Sequence, residues 1–418
     1  MTKRVATITG IGTLTPAGRG TETLWMCVSS GHTCLGPIDP QKYFDPSRYA
    51  CQIAGQVPSF SEPRVLTEAM MAQTDRCSQM ALVAVLDALE AARLPMDFRS
   101  EGSPVAPERV SLTVATIAAG WTYVEREMRN LWTKGVGAMD RYGLTAGFPA
   151  GPQGHISILF GVEGRTRTFV SERASGAHAL IEGAKAIQRG DADIVIAGGT
   201  EAPLTPFAWA AYHASNMLLP TSQLRDAVHV YRSFVRQHTG MLISEGSTFL
   251  VLEEREHALR RDVPILAEVH GWSRGTDPYP LEGSRKEPGR GLTQTIRASL
   301  AQADIEPTAV DMIFPSGPAL AEEDIAEEVA IRNIFDRSPP IVVPKTVLGH
   351  LQGAAAATDV AIAALALDRQ MIPPTQDVLW CSDLNSISDC TDSPVRQVLI
   401  LSGGLGGTHA SLIVSKSE

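Results

Sequence analysis

At 418 residues and 44.8 kDa, the chain is long enough for two or three domain-sized units with sizeable cores. Hydrophobic residues make up 44% and aromatic residues only 6%, with 36 glycines, a small-residue balance that suits helices packed closely on sheets and excludes disordered and fibrous classes. The net charge of −10 supplies no general field for nucleic acid, and the longest apolar stretch, residues 353–367 with Asp359 inside it, falls short of the roughly 20 residues that a bilayer-crossing helix needs.

Short β-branched runs alternate with longer helical stretches, which predicts an α/β fold. In the first half the pattern predicts a strand over 5–9, a helix over 68–93, a strand over 110–115 and a helix over 123–133. A Gly/Pro-rich loop over 145–154 follows, then a strand over 166–170, a helix over 175–188 stopped by Gly190, and strands over 194–197 and 248–253. The second half begins again with a strand over 265–269 and a polar stretch over 271–291. Next come a helix over 292–303, a strand over 311–314, a helix over 322–335, a strand over 341–343, the helix 353–367 and closing strands over 397–401 and 411–414. The repeated rhythm predicts two similar halves, 1–258 with large insertions and 259–418.

Several motifs carry little chemistry. Gly10-Ile11-Gly12 after the first strand lacks the third glycine and the acidic partner of a dinucleotide site, so it is read as a tight turn. Gly403-Gly404-Leu405-Gly406-Gly407 lacks the Lys-Ser/Thr of a phosphate-binding loop and is read as a turn between closing strands. The interrupted basic run from Arg225 to Arg236 reads as a solvated face, although a docking patch for an acidic carrier protein has the same appearance. Glu322–Asp324 and Glu327–Glu328 sit where acidic groups favour a helix N-terminus and need no metal. The six cysteines form no C-x-x-C pair, so neither zinc nor a disulfide framework is expected, and the opening MTKRVATITGIG, which turns from two charges straight into a strand-like run, is not expected to act as a secretion signal. A cytoplasmic protein without metal or cofactor is expected.

Three segments are more specific: residues 169–212 around FVSERASGAHAL, 242–261 beginning LISEGSTF, and 344–375 beginning PKTVLGHLQG. With the opening TGIG and the closing SGGLGGTHASLIV, they resemble the β-ketoacyl synthase family over essentially the whole chain. The resemblance implies a thiolase-type fold, two similar βαβαβαββ halves in five layers. It also implies a cysteine nucleophile at a strand-to-helix elbow, where the helix end lowers the thiol pKa, and two histidines that stabilise an enolate oxygen. At those positions this sequence has Arg173 for the cysteine and Ser316 for the first histidine; only Lys345 and His350, in Lys345-Thr-Val-Leu-Gly-His350, match. A guanidinium stays protonated and cannot attack a thioester. Arg173 is a cation at a helix N-terminus and should be paired, with Glu172 the neighbouring candidate. His350 is expected to pack under the Gly349 turn. His178 replaces a residue that is usually acidic in the family, and residues 234–241 are a degraded form of a family segment, although Glu245-Gly246 is kept.

Within the family, the elbow and the run from Gly120 to Gly135 resemble the chain-length factor, the β subunit of type II polyketide ketosynthases. That resemblance implies a non-catalytic subunit that pairs with a catalytic ketosynthase, works with an acyl carrier protein and encloses the growing polyketide chain, poly-β-ketone or polyene. It assigns Trp121, Val124 and Met128, with Thr145 on the following segment, to the tunnel wall. The spacing i, i+3 and i+7 puts the first three on one helical face, a pattern that by itself also describes a core stripe. Two alternatives accompany this reading: a malonyl-carrier decarboxylase supplying starter units, and an inactive acyl-binding scaffold.

Overall fold

The structure, a computed structural model, describes residues 4–222, 231–235, 240–278, 287–375 and 384–417. Its centre is a sheet system of two half-sheets joined by the strand Ala6–Thr15. That strand pairs antiparallel with Gly246–Glu254 on one side and, through its first three residues, with Ala267–Thr276 on the other. In the first half Val110–Ala115 pairs in parallel with both Thr166–Phe169 and Ile194–Glu201, and Ile194–Glu201 meets Gly246–Glu254 antiparallel. In the second half Met312–Phe314 pairs in parallel with Gln397–Gly403, which meets Thr408–Ser415 antiparallel; Thr408–Ser415 then meets Ala267–Thr276. The halves therefore repeat one strand order.

Helices fill three layers around these half-sheets. Ser175–Arg189 and Ala355–Arg369 pack on each other and on strands of both halves. Residues Ala355 to Leu367 are all buried, which explains why this helix is apolar all round and rich in alanine. Arg76–Ala91 covers the outer face of the first half-sheet and Arg290–Ala303 that of the second. The result is the expected five-layer order of helix, sheet, helix, sheet, helix.

Local signals explain most boundaries. Asp75 caps Arg76–Ala91 by accepting from the Ser78 N–H at 3.0 Å, so the single helix expected over 68–93 is two, Glu68–Gln73 and Arg76–Ala91. Gly190 ends Ser175–Arg189 in the left-handed conformation, as expected of a glycine stop.

Three readings are corrected. Gly10 and Gly12 are not in a turn but inside the strand Ala6–Thr15, where a Cβ would stand 2.2 Å from the Ala88 carbonyl oxygen and 1.9 Å from that of Ala84. They are glycines so that Arg76–Ala91 can lie directly on the sheet. The loop expected over 145–154 contains parts of two helices, Gly143–Gly147 and Gly151–Phe160, whose Ala146, Ile156 and Phe160 are buried. The strand expected over 341–343 is reduced to Ile341, bridged in parallel to Ile313.

Candidate functional site

The elbow lies between the strand Thr166–Phe169 and the helix Ser175–Arg189. Glu172 takes a left-handed backbone conformation with φ +53°, and Ser175 Oγ accepts the Ser171 N–H at 2.7 Å while donating to the Glu172 carbonyl. This turn drives the Arg173 side chain inward, where it is fully buried. Its Nε donates to Glu172 at 2.8 Å, and an Nη donates to Glu323 at 2.7 Å from a helix 150 residues away. Glu172 also accepts the Leu405 N–H at 2.7 Å, which ties the elbow to the closing glycine-rich turn. Burial pulls the Arg173 pKa down, and the charges of Glu323 and Glu172 outweigh it, so the net direction is upward. The guanidinium is thus a charged plug held by two carboxylates.

The other family positions surround the plug. Ser316 and Gly317 donate their N–H groups to Glu327 at 2.7 and 2.9 Å, and Ser316 Oγ accepts the Gly403 N–H at 3.2 Å. Burial pushes Glu327 up to about 7 against the opposing effect of those N–H bonds. Lys345 Nζ donates to the Pro315 carbonyl at 3.0 Å and pairs with buried Asp359. His350 is 1% exposed, and its Nδ1 accepts the Gln352 N–H at 3.0 Å. Burial first, then the charges of Arg173 and Lys345, hold His350 well below its usual pKa and therefore neutral. A cavity of about 40 Å³ lies beside the Ser316 loop, bordered by Ser316, Glu323, Glu327 and His409. The family's nucleophile position is occupied by Arg173, and no group of His, Cys, Asp or Glu among the described residues could hold a metal ion.

The acidic cluster therefore does more than favour a helix end. Glu323 holds Arg173, Asp324 accepts the Phe234 N–H at 2.8 Å, and Glu327 fixes the Ser316 loop. Glu245 takes two bonds from Arg76 at 2.7 and 2.6 Å. His178 reaches Ser171 Oγ at 3.2 Å and so braces the elbow, pushed down to about 4 chiefly by burial. Most of the basic run, residues 225–230 and 236, lies outside the described residues, as does Cys381.

The helix Trp121–Lys134 presents a different environment. Trp121, Val124 and Met128 line one cavity of about 680 Å³ together with Trp132 and Phe207. The Trp121 and Phe207 rings stand 5.3 Å apart, and Met128 is 41% exposed. On this helix only Tyr123 and Glu127 are buried, so the stripe is not core packing. Thr145 is not brought to the same cavity. It lies on Gly143–Gly147 and borders a second apolar cavity of about 410 Å³ with Leu144, Phe148, His155 and Ile158. Trp132 continues the 121, 124, 128 spacing by one more turn and was legible in the sequence. Phe207 and Glu323 carry no local signal, because their roles come from long-range packing.

Residues 2–258 match the family described as beta-ketoacyl synthase, N-terminal domain, and residues 266–378 match beta-ketoacyl synthase, C-terminal domain. The chain is 33% identical over 419 residues to a polyketide beta-ketoacyl synthase 2 of Streptomyces halstedii, covering 99% of this chain and 97% of that protein. It is 30% identical over 415 residues to the ketoacyl synthase beta subunit of the tetracenomycin polyketide synthase of Streptomyces glaucescens, covering 98% of each. Among solved structures, the ishigamide ketosynthase/chain length factor superposes with a TM-score of 0.86 at 25% identity over 100% of both chains. A type II polyketide synthase ketosynthase, in complex with its acyl-carrier protein and bound to the hexaketide, gives 0.88 at 24% identity, again over 100% of both chains. The two-half, five-layer architecture is the thiolase-type fold of these ketosynthases.

Proposed function

Because the chain belongs to the beta-ketoacyl synthase family, we propose that it is a non-condensing chain-length factor whose work is done in a partner's reaction. It pairs with a catalytic ketosynthase and supplies wall and floor to the tunnel in which malonyl units from an acyl carrier protein are joined into a polyketide chain. The relatives named as ketosynthase beta subunit and as chain length factor support this role. The observation that carries it is a contrast within one chain: the elbow is filled by the paired Arg173, while the apolar stripe of Trp121–Lys134 borders an open cavity. The paired Arg173 guanidinium, at the family's nucleophile position, cannot accept an acyl group, so carbon–carbon bond formation falls to the partner's nucleophile. Trp121, Val124 and Met128 set where the growing chain stops by occupying space, with Thr145 acting on the adjoining segment. We place the protein in the cytoplasm, a reading supported by free thiols at Cys27, Cys34, Cys51, Cys77 and Cys390 and by the absence, among the described residues, of any helix long and apolar enough to cross a membrane.

The test is reconstitution of the heterodimer with carrier protein and malonyl donor, with product lengths read by mass spectrometry. The chain alone should condense nothing. Trp121→Ala or Met128→Ala in the heterodimer should lengthen the product, and unchanged length from a well-folded variant would refute the gate.

A further inference from the structure

The helix that carries the stripe has little apolar anchorage, so something else must fix its depth. Its anchors are carboxylates that accept backbone N–H groups at its junctions. Glu201, wholly buried at the end of the strand Ile194–Glu201, accepts from Ile117 at 2.7 Å, Ala118 at 2.8 Å and Gly353 at 3.1 Å. Asp75, already the cap of Arg76–Ala91, accepts from Gly120 at 2.8 Å, the residue on which Trp121–Lys134 begins. Glu125 accepts from Phe207 at 3.2 Å and so ties the helix to the opposite wall of the cavity. Glu127 accepts from Asp140 at 2.6 Å, in the turn leading to the helix of Thr145.

Gly120 completes the arrangement. Its φ is +82°, and a Cβ there would stand 2.6 Å from the Ala146 carbonyl oxygen, so the helix root closes directly on the neighbouring segment. Displacing the helix by an ångström would strip partners from buried N–H groups, a loss that costs more than an exposed bond is worth. The device has a counterpart in the other half. Ile117 and Ala118 follow the strand Val110–Ala115 as Ser316 and Gly317 follow Met312–Phe314, where Glu327 takes the two N–H bonds.

Resting on the function proposed above, we propose that Glu201 and Asp75, neither of which lines the cavity, are positioning residues that set the depth of Trp121 in the tunnel, and hence product length, with Glu125, which does line it, tying the helix to Phe207. Glu201→Gln preserves shape but leaves one acceptor oxygen in place of two, so the Ile117, Ala118 and Gly353 N–H groups cannot all be satisfied. In the heterodimer this variant should shift the product toward the next longer one by roughly fivefold, the population change that follows from losing one buried hydrogen bond. Amide hydrogen exchange at Ile117 and Ala118 should quicken in parallel. Glu125→Ala should shift the product ratio in the same direction, and Glu125→Gln, which keeps an acceptor for Phe207, should restore it. If Glu201→Gln proves too unstable to purify, Asp75→Asn, which leaves one acceptor oxygen for the Gly120 and Ser78 N–H groups and lies outside the cavity, decides by the same shift in product ratio. An unchanged ratio in Glu201→Gln and Glu125→Ala, with Trp121→Ala still lengthening the product, would overturn the positioning role and leave the chain-length reading standing. A shifted ratio with unaltered exchange at Ile117 and Ala118 would also overturn it. Failure of Trp121→Ala itself would bring down the chain-length reading.

Discussion

The Ser316 loop and the root of the helix Trp121–Lys134 occupy matching places in the two halves, and they have opposite fates. Each follows the central parallel strand of its half, and each has two successive N–H groups clasped by a buried carboxylate, Glu327 in one case and Glu201 in the other. Near the Ser316 loop lie the buried Arg173 with its partners Glu172 and Glu323, and a cavity of about 40 Å³ that Ser316 and Glu323 border. Beyond the helix root the chain opens onto a cavity of about 680 Å³ lined by aromatic and aliphatic side chains. The same supporting device thus holds the loop beside the Arg173 ion-pair cluster in one half and the root of an apolar wall in the other. At the position where the family resemblance implies a nucleophile, the structure has a buried ion-pair cluster.

The sharpest way to break this contrast is at Glu323. Glu323→Ala leaves the buried Arg173 with Glu172 alone, and removing one partner of a buried pair should destabilise the chain by about 3–5 kcal/mol. The denaturant midpoint of the purified chain measures this. The double variant Arg173→Met with Glu323→Leu fills the volume without charge and should recover most of the loss. A silent Glu323→Ala would mean that the plug is not held as described.

The paired carboxylates offer a second handle through pH. Burial pushes both Glu201 and Glu327 up to about 7 from an ordinary value of 4.5. A carboxyl whose folded pKa lies above its unfolded one binds more protons in the folded state, so its stabilising contribution is complete below about 4.5 and is lost as pH rises through about 7. Each should therefore lower stability by up to roughly 1.4 kcal/mol per pH unit inside that window. Thermal midpoints from pH 5 to pH 8 should fall, and Glu327→Gln should remove about half of the slope that these two groups produce. A midpoint that rises across the same range, or an unchanged slope in the variant, would show that both carboxyls ionise as freely as exposed ones.

The fold was legible wherever local pattern and tertiary need agree. The helix Ser175–Arg189 has its elbow, apolar face and Gly190 stop in the sequence itself, and the pairing of Arg173 with Glu172 follows from one cation beside one anion. Legibility failed where a residue's reason is a distant neighbour. Gly10 and Gly12 read as breakers because a glycine's local signal is conformational freedom, whereas here each is required by a helix lying on the strand. The helices Gly143–Gly147 and Gly151–Phe160 were hidden by glycine and proline. They form because Pro152 is tolerated in the first helical turn and because Ala146, Ile156 and Phe160 find cover. Glu323 could not have been matched to Arg173 across 150 residues from one sequence. In the stripe of Trp121, Val124 and Met128, spacing alone fitted a core face as well as an open one, and the exposure of Met128 and Trp132 separates the two.

That separation yields the smallest expected effect. Met128 is 41% exposed, whereas Met80, on Arg76–Ala91, is fully buried. Met80→Ala should cost the isolated chain about 2–5 kcal/mol through lost burial and a cavity, whereas Met128→Ala should stay within about 0.5 kcal/mol of the parent. Denaturant midpoints of the two variants, measured on the isolated chain, check the difference. Equal losses would make the stripe an ordinary core face and would remove the physical basis for a gate. A nearly neutral Met128→Ala that nonetheless lengthens the heterodimer's product would separate space-filling in the tunnel from stability of the subunit, because the side chain would then be doing its work only against a chain that another protein makes.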